Sequence, residues 1–205
     1  MQLAHRRTPR PFRGPTRERS RGAVIVEAAF ITPIFLMLVF GIVEVGLAMN
    51  DSLALAHSVR AGTRVASASG NDLYADYGII QAIKRESSAL PRGQIVRIVV
   101  YKASKYGDPP STSCQNGTGT GTGTSPCSVY TTADFTKVKS RWGCKVAEGL
   151  EEWCPTARKV TLATTGPDYV GVWMKVEHRW VTRMFGDVLT LTDSSVIRLE
   201  PRLKA

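Results

Sequence analysis

Few residues in this 205-residue sequence have the types and spacing to do chemistry together, and those that do are carboxylates and thiols. Glu27 and Glu44 bracket 16 residues that carry no charge. A carboxylate in such surroundings is costly unless it sits at an interface or meets a donor or cation. The four cysteines, Cys114, Cys127, Cys144 and Cys154, include no C-x-x-C and have no neighbouring histidine, which argues against zinc. In an oxidising compartment an even number implies two disulfides, with three possible connectivities. Sequential pairing, Cys114–Cys127 and Cys144–Cys154, closes two short loops and is the arrangement expected; each bridge would contribute about 3 kcal/mol. His5, His57 and His178 fall in a basic arm, a helix and a strand, so no catalytic constellation, metal site or cofactor site emerges. His178 reads as a core or rim residue of its strand. The Gly-Thr run within residues 115–126 lacks the G-x-x-x-x-G-K-[ST] pattern of a phosphate loop and reads as a flexible exposed tip tied at its base.

The elements that must hold these residues follow from where charge and apolar side chains lie. The chain has 27 Lys+Arg and 17 Asp+Glu, a formal +10. Residues 1–21 hold seven arginines and one glutamate, so +6 sits there and only +4 on the other 184 residues. With three prolines and no apolar period, this arm is expected to be extended. Ala23 to Met49 follows as a nearly unbroken apolar run. As a helix, those positions reach roughly 40 Å, enough to cross a hydrocarbon layer of about 30 Å. No polar face recurs every three or four residues, which excludes an ordinary soluble core helix.

The arginines before the run fix its expected orientation. Residues 1–22 form a basic cytoplasmic leader, 23–49 a single transmembrane helix, and 50–205 an extracytoplasmic α+β domain. The arm thereby acts as a topology determinant near anionic headgroups. No aromatic interleaving or binding-fold motif suggests nucleic acid. Ala54-Leu55-Ala56 has the small-x-small pattern of a signal-peptidase site, but the apolar run is far longer than a removable signal's core. Pro33 is expected to bend the span. Glu44 is expected at the outer interface, with a contact to a partner helix in the membrane as the alternative.

Beyond the span, residues 53–68 continue in helical composition, with small residues Ala54, Ser58, Ala61 and Val65 along one line. Gly62 costs an isolated helix about 1 kcal/mol relative to alanine, which hints at close packing. That face suits either the chain's own domain or a neighbouring subunit. A helix is expected from Asp72 to Ser88, and strands over Gln94–Tyr101, Lys159–Thr165, Val170–Trp180 and Ser195–Leu199. In the third, Val170, Val172, Met174, Val176, His178 and Trp180 share one face. The order predicts an α+β fold: a long N-terminal transmembrane helix continuing into a head with a small antiparallel sheet.

Arg21-Gly22-Ala23-Val24-Ile25-Val26-Glu27 resembles the processing site of type IV prepilins. That resemblance implies cleavage by a prepilin peptidase after Gly22, where a glycine leaves room and backbone freedom at the scissile bond. The freed amine of Ala23 would then be available to Glu27 of a neighbouring subunit, so that each charge escapes part of its desolvation. Together with SVRAGTRVASASG at 58–70, notably the Arg60–Arg64 block, and SSVIRLEP at 194–201, the sequence resembles the TadE-like family, minor pseudopilins of tight-adherence (Flp) pilus systems. One departure stands out: Ala28, not an aromatic residue, follows Glu27. The resemblance implies a non-enzymatic assembly protein of the bacterial cytoplasmic membrane or a surface pilus. Its partners would be the membrane, the peptidase, other pilins and pseudopilins, and the assembly platform. The competing readings are a membrane-tethered binding module that never polymerises, and a secreted enzyme released near His57.

Overall fold

A computed structural model describes residues 19–91, 94–123, 125–144, 152–162 and 166–202. Nearly all of the basic arm lies outside the described residues, as do residues 163–165 of the expected Lys159–Thr165 strand. Helix α1 spans Arg19–Ser69, 51 residues that run through Pro33. The apolar run and the helix expected at 53–68 are therefore one element. The chain divides into two compact units between Val43 and Glu44.

In the first unit, α1 exposes its apolar side chains: Phe30, Ile34 and Ile42 are 74%, 65% and 74% accessible. Among the described residues this helix is the one long and apolar enough to cross a membrane, and none of its most apolar stretch is buried. Such a surface is stable only in an apolar medium or against other chains.

In the second unit a stripe of buried residues begins at Glu44 and recurs with helical period: Ala48, Asp51, Leu55, Ser58, Val59, Thr63, Ala66 and Ser67. Helix α2, Ala75–Glu86, presents Ile79, Ile80 and Ile83 to the same core. It is shorter than the Asp72–Ser88 expected, since Ser87–Ala89 tightens into a 3-10 turn before Pro91. A Cβ placed on Gly62 would lie 2.9 Å from Ile83 Cγ1, so the glycine does permit close approach of α2. The most buried stripe is Leu55–Val59–Thr63–Ala66; of the small-residue line expected to pack, Ser58 is buried and Ala54 and Val65 pack against the core. The packing face therefore serves this chain's own domain.

Four antiparallel strands form one sheet in the order β2-β1-β3-β4: β1 Ile95–Ala103, β2 Cys127–Tyr130, β3 Tyr169–Arg179 and β4 Val188–Arg198. Alternation sorts the side chains into two cores. Ile98, Val100, Val170, Val172, Met174 and Val176 pack toward the helices. Val99, Tyr101, Ala103 and Trp173 pack on the other face with Cys114 and Cys127. Gly171 makes room for the Tyr101 ring, whose hydroxyl donates to the Asp108 carbonyl at 2.6 Å. Burial pushes this phenol's pKa up to about 12.

The sheet departs from the strands expected from sequence in three places. β2 is absent from the expected strands, because four residues are too few to display a period. β4 starts seven residues before Ser195; as an outer strand with half-exposed side chains it carries little apolar signal. Lys159–Leu162 is not a strand. There Val160 is buried singly while Leu162 is 70% accessible, and the backbone is held by isolated bonds to Asp168 and Arg202.

Both disulfides pair sequentially, Cys114–Cys127 and Cys144–Cys154. The first ties a short helix, α3 (Thr112–Asn116), to β2, and Gly119 lies directly against its sulfurs. Part of the Gly-Thr run is thus packed, while its outer residues are exposed. Deep in the helix-facing core, Arg158 meets Asp76 and lies over the Trp153 ring, and Tyr130 donates to the second Asp76 oxygen at 2.8 Å. Both charges are fully buried, so removing either partner would strand the other.

Candidate functional site

Gly22, Ala23 and Glu27 lie on α1, all exposed. Nothing lies within 4 Å of a Cβ built on Gly22. The Gly22–Ala23 bond is helical in this state. Glu27 stands on the exposed apolar helix with its carboxylate available to a group from outside the unit. Arg60 and Arg64 also point outward, opposite the buried stripe, so the Arg60–Arg64 block offers two cations on a face that the domain leaves uncovered.

A second polar constellation begins where the buried stripe begins. Glu44 is 1% accessible. Its carboxylate accepts the Val181 backbone N–H at 3.0 Å and also that of Thr182. Two backbone donors on one carboxylate satisfy a charge that the apolar run alone would leave unpaired. Two helical turns on, Asp51 Oδ2 lies 2.7 Å from His178 Nδ1. Further along, the Thr63 hydroxyl, which donates to the Val59 carbonyl at 2.7 Å, lies 3.5 Å from the Ser195 carbonyl, and the Ser67 hydroxyl donates to that of Arg198 at 3.3 Å.

These four links follow the β3–β4 hairpin from its turn to its open end. Asp51 to Thr63 spans roughly 18 Å of helix. His178 is level with Leu189, and Leu189 to Ser195 spans roughly 20 Å of strand. The rises agree, so α1 runs alongside β4 with the hairpin turn at the Glu44 end.

The family comparison falls on this helix. Residues 22–64 match the TadE-like protein family. The TadE-like segment thus starts at the glycine of the prepilin-like motif and ends at the second arginine of the Arg60–Arg64 block, in agreement with the resemblance drawn from those residues. It includes Glu44, Asp51 and Gly62, and leaves the sheet and both disulfides outside the match. No curated protein and no solved structure matches the chain.

Glu44 was visible in the sequence, but its expected place at an interface or against a partner helix omitted the intrachain donors. The expectation for His178 omitted Asp51. The available signal was periodic: Glu44, Asp51, Ser58 and Leu55 lie on one helical face, and acids at the start of a buried stripe require internal partners. Which donors they meet is a long-range matter, since Val181 lies 137 residues from Glu44.

Among the described residues no group of three His, Cys, Asp or Glu side chains is placed to hold a metal ion. The geometry suits holding a helix and presenting surfaces.

Proposed function

We propose that this chain is a membrane-anchored, TadE-like minor pseudopilin that takes part in assembly of a tight-adherence (Flp) pilus or related secretion filament. A prepilin peptidase cleaves it after Gly22. The leader faces the cytoplasm and residues 50–205 the outside. The observation that carries the reading is the exposed apolar length of α1, with Gly22 and Glu27 spaced five residues apart on it, within the segment matched by the TadE-like family. A helix of this kind needs lipid before assembly and other helices afterwards. A single carboxylate near its start then sets register, because a displaced neighbour would leave it without a cation.

Mass spectrometry of the mature N-terminus tests the processing step: assembled material should begin at Ala23, and an intact leader there overturns cleavage. Glu27→Gln tests assembly. It should leave membrane insertion unchanged and abolish incorporation. Normal incorporation would favour a tether that does not polymerise through this charge.

A further inference from the structure

The turn between β3 and β4 exposes more apolar surface than its place in a hairpin explains. Val181 is 74% accessible, Phe185 54%, Val188 45% and Met184 42%. Trp180 lies edge-on to His178 and tilted against Phe185, with ring centroids 5.0 and 5.3 Å away. Arg183, held at φ 59°, is exposed and lies 3.8 Å from the equally exposed Asp187 carboxylate. Arg179 is also exposed at the end of β3.

The depth of this turn is fixed by Glu44. A helix crosses about 30 Å of hydrocarbon in about 20 residues, and 21 residues of the apolar run, Ala23–Val43, precede Glu44. The residues on either side of the Val181 and Thr182 amides are therefore held at the level where α1 leaves the apolar layer. On α1 itself, Val45, Leu47 and Met49 remain exposed just past that point, at 46%, 42% and 65%. An apolar turn beside an apolar helix, with tryptophan and arginine at its rim, matches what the lipid–water interface selects.

We propose that Trp180–Phe185 is a membrane-interface anchor. Val181, Met184 and Phe185 dip into the acyl boundary of the leaflet from which α1 emerges, and Arg179 and Arg183 meet anionic lipid phosphates. The Glu44 bonds couple this second anchor to the first residues of α1 in the head. The inference rests on α1 being membrane-embedded.

The full-length protein in phospholipid vesicles provides the test. Lipids brominated high on the acyl chain quench a tryptophan at the interface. Trp142, Trp153 and Trp173 are buried and serve as an internal reference. The difference in emission between wild type and Trp180→Phe isolates Trp180, and most of that component should be lost in brominated vesicles. The double variant Val181→Asp/Phe185→Asp changes exposed side chains only. It should keep the reference emission and vesicle flotation while Trp180 escapes quenching. Flotation with an unquenched Trp180 in the wild type overturns the interface anchor and leaves the embedded helix intact. Failure to float after an alkaline wash overturns both.

Discussion

Asp51 and His178, 127 residues apart in sequence, meet through a 2.7 Å contact between Oδ2 and Nδ1. Both are buried, and the other imidazole nitrogen, Nε2, has no hydrogen-bond partner among the described residues. Asp51 is therefore the group that makes a histidine tolerable at the end of an apolar strand face. Asp51→Ala should destabilise the head by about 1–3 kcal/mol, the penalty for an unsatisfied buried polar group. His178→Phe should cost less if Asp51 is changed with it. Denaturant unfolding of the single and double variants in micelles, compared as a thermodynamic cycle, checks this.

Glu44 should act locally. Glu44→Gln replaces an anionic acceptor of two backbone N–H groups with a neutral amide that keeps one carbonyl oxygen. The loss should be concentrated in the hairpin turn. Hydrogen exchange should report faster exchange at Val181 and Thr182 and little change at Val99 or Val172.

Gly62 separates helix propensity from packing. Gly62→Ala gains about 1 kcal/mol of intrinsic helix stability, but its Cβ presses on the Ile83 side chain, so the net change should be small. Gly62→Leu has no such room and should cost at least about 1–3 kcal/mol through overpacking. Midpoints of thermal unfolding distinguish the two.

Arg202 closes the helix end of the domain. Its Nη1 donates to Asp72 Oδ1 at 2.7 Å, and Nη2 reaches the Ala68 and Ser69 carbonyls at the end of α1. The guanidinium holds the Asp72 carboxyl below its usual range. The stabilisation from this pair is therefore present above the ordinary aspartate pKa of about 4, and is lost as pH falls through the lower folded-state value. With side chains 43% and 57% accessible, the pair should be worth no more than about 1 kcal/mol and weaken with salt. The melting-temperature difference between wild type and Asp72→Asn should be positive at pH 7 and vanish in acid.

Much of this architecture could be read from residue order. The period-2 pattern of Val170–His178 identifies a strand with one buried face, and the apolar run before Asn50 identifies a helix long and apolar enough to cross a membrane. Four cysteines in two short-loop pairs match the observed bridges. The partners of Glu44 and Asp51 could not be read locally, because a carboxylate's need for a donor is a property of its own position while the donor's identity is set by hairpin register. Lys159–Leu162 shows the opposite failure. Its β-branched composition fits a strand, but Val160 alone finds a core position and the neighbouring backbone pairs only with single bonds.

The links that join α1 to the β3–β4 hairpin, from Glu44 to Ser67, lie side by side along the helix. Tension applied along α1 therefore loads them in shear, together, and not one after another as in peeling. A head attached in this way resists being stripped from its stem until several bonds fail at once.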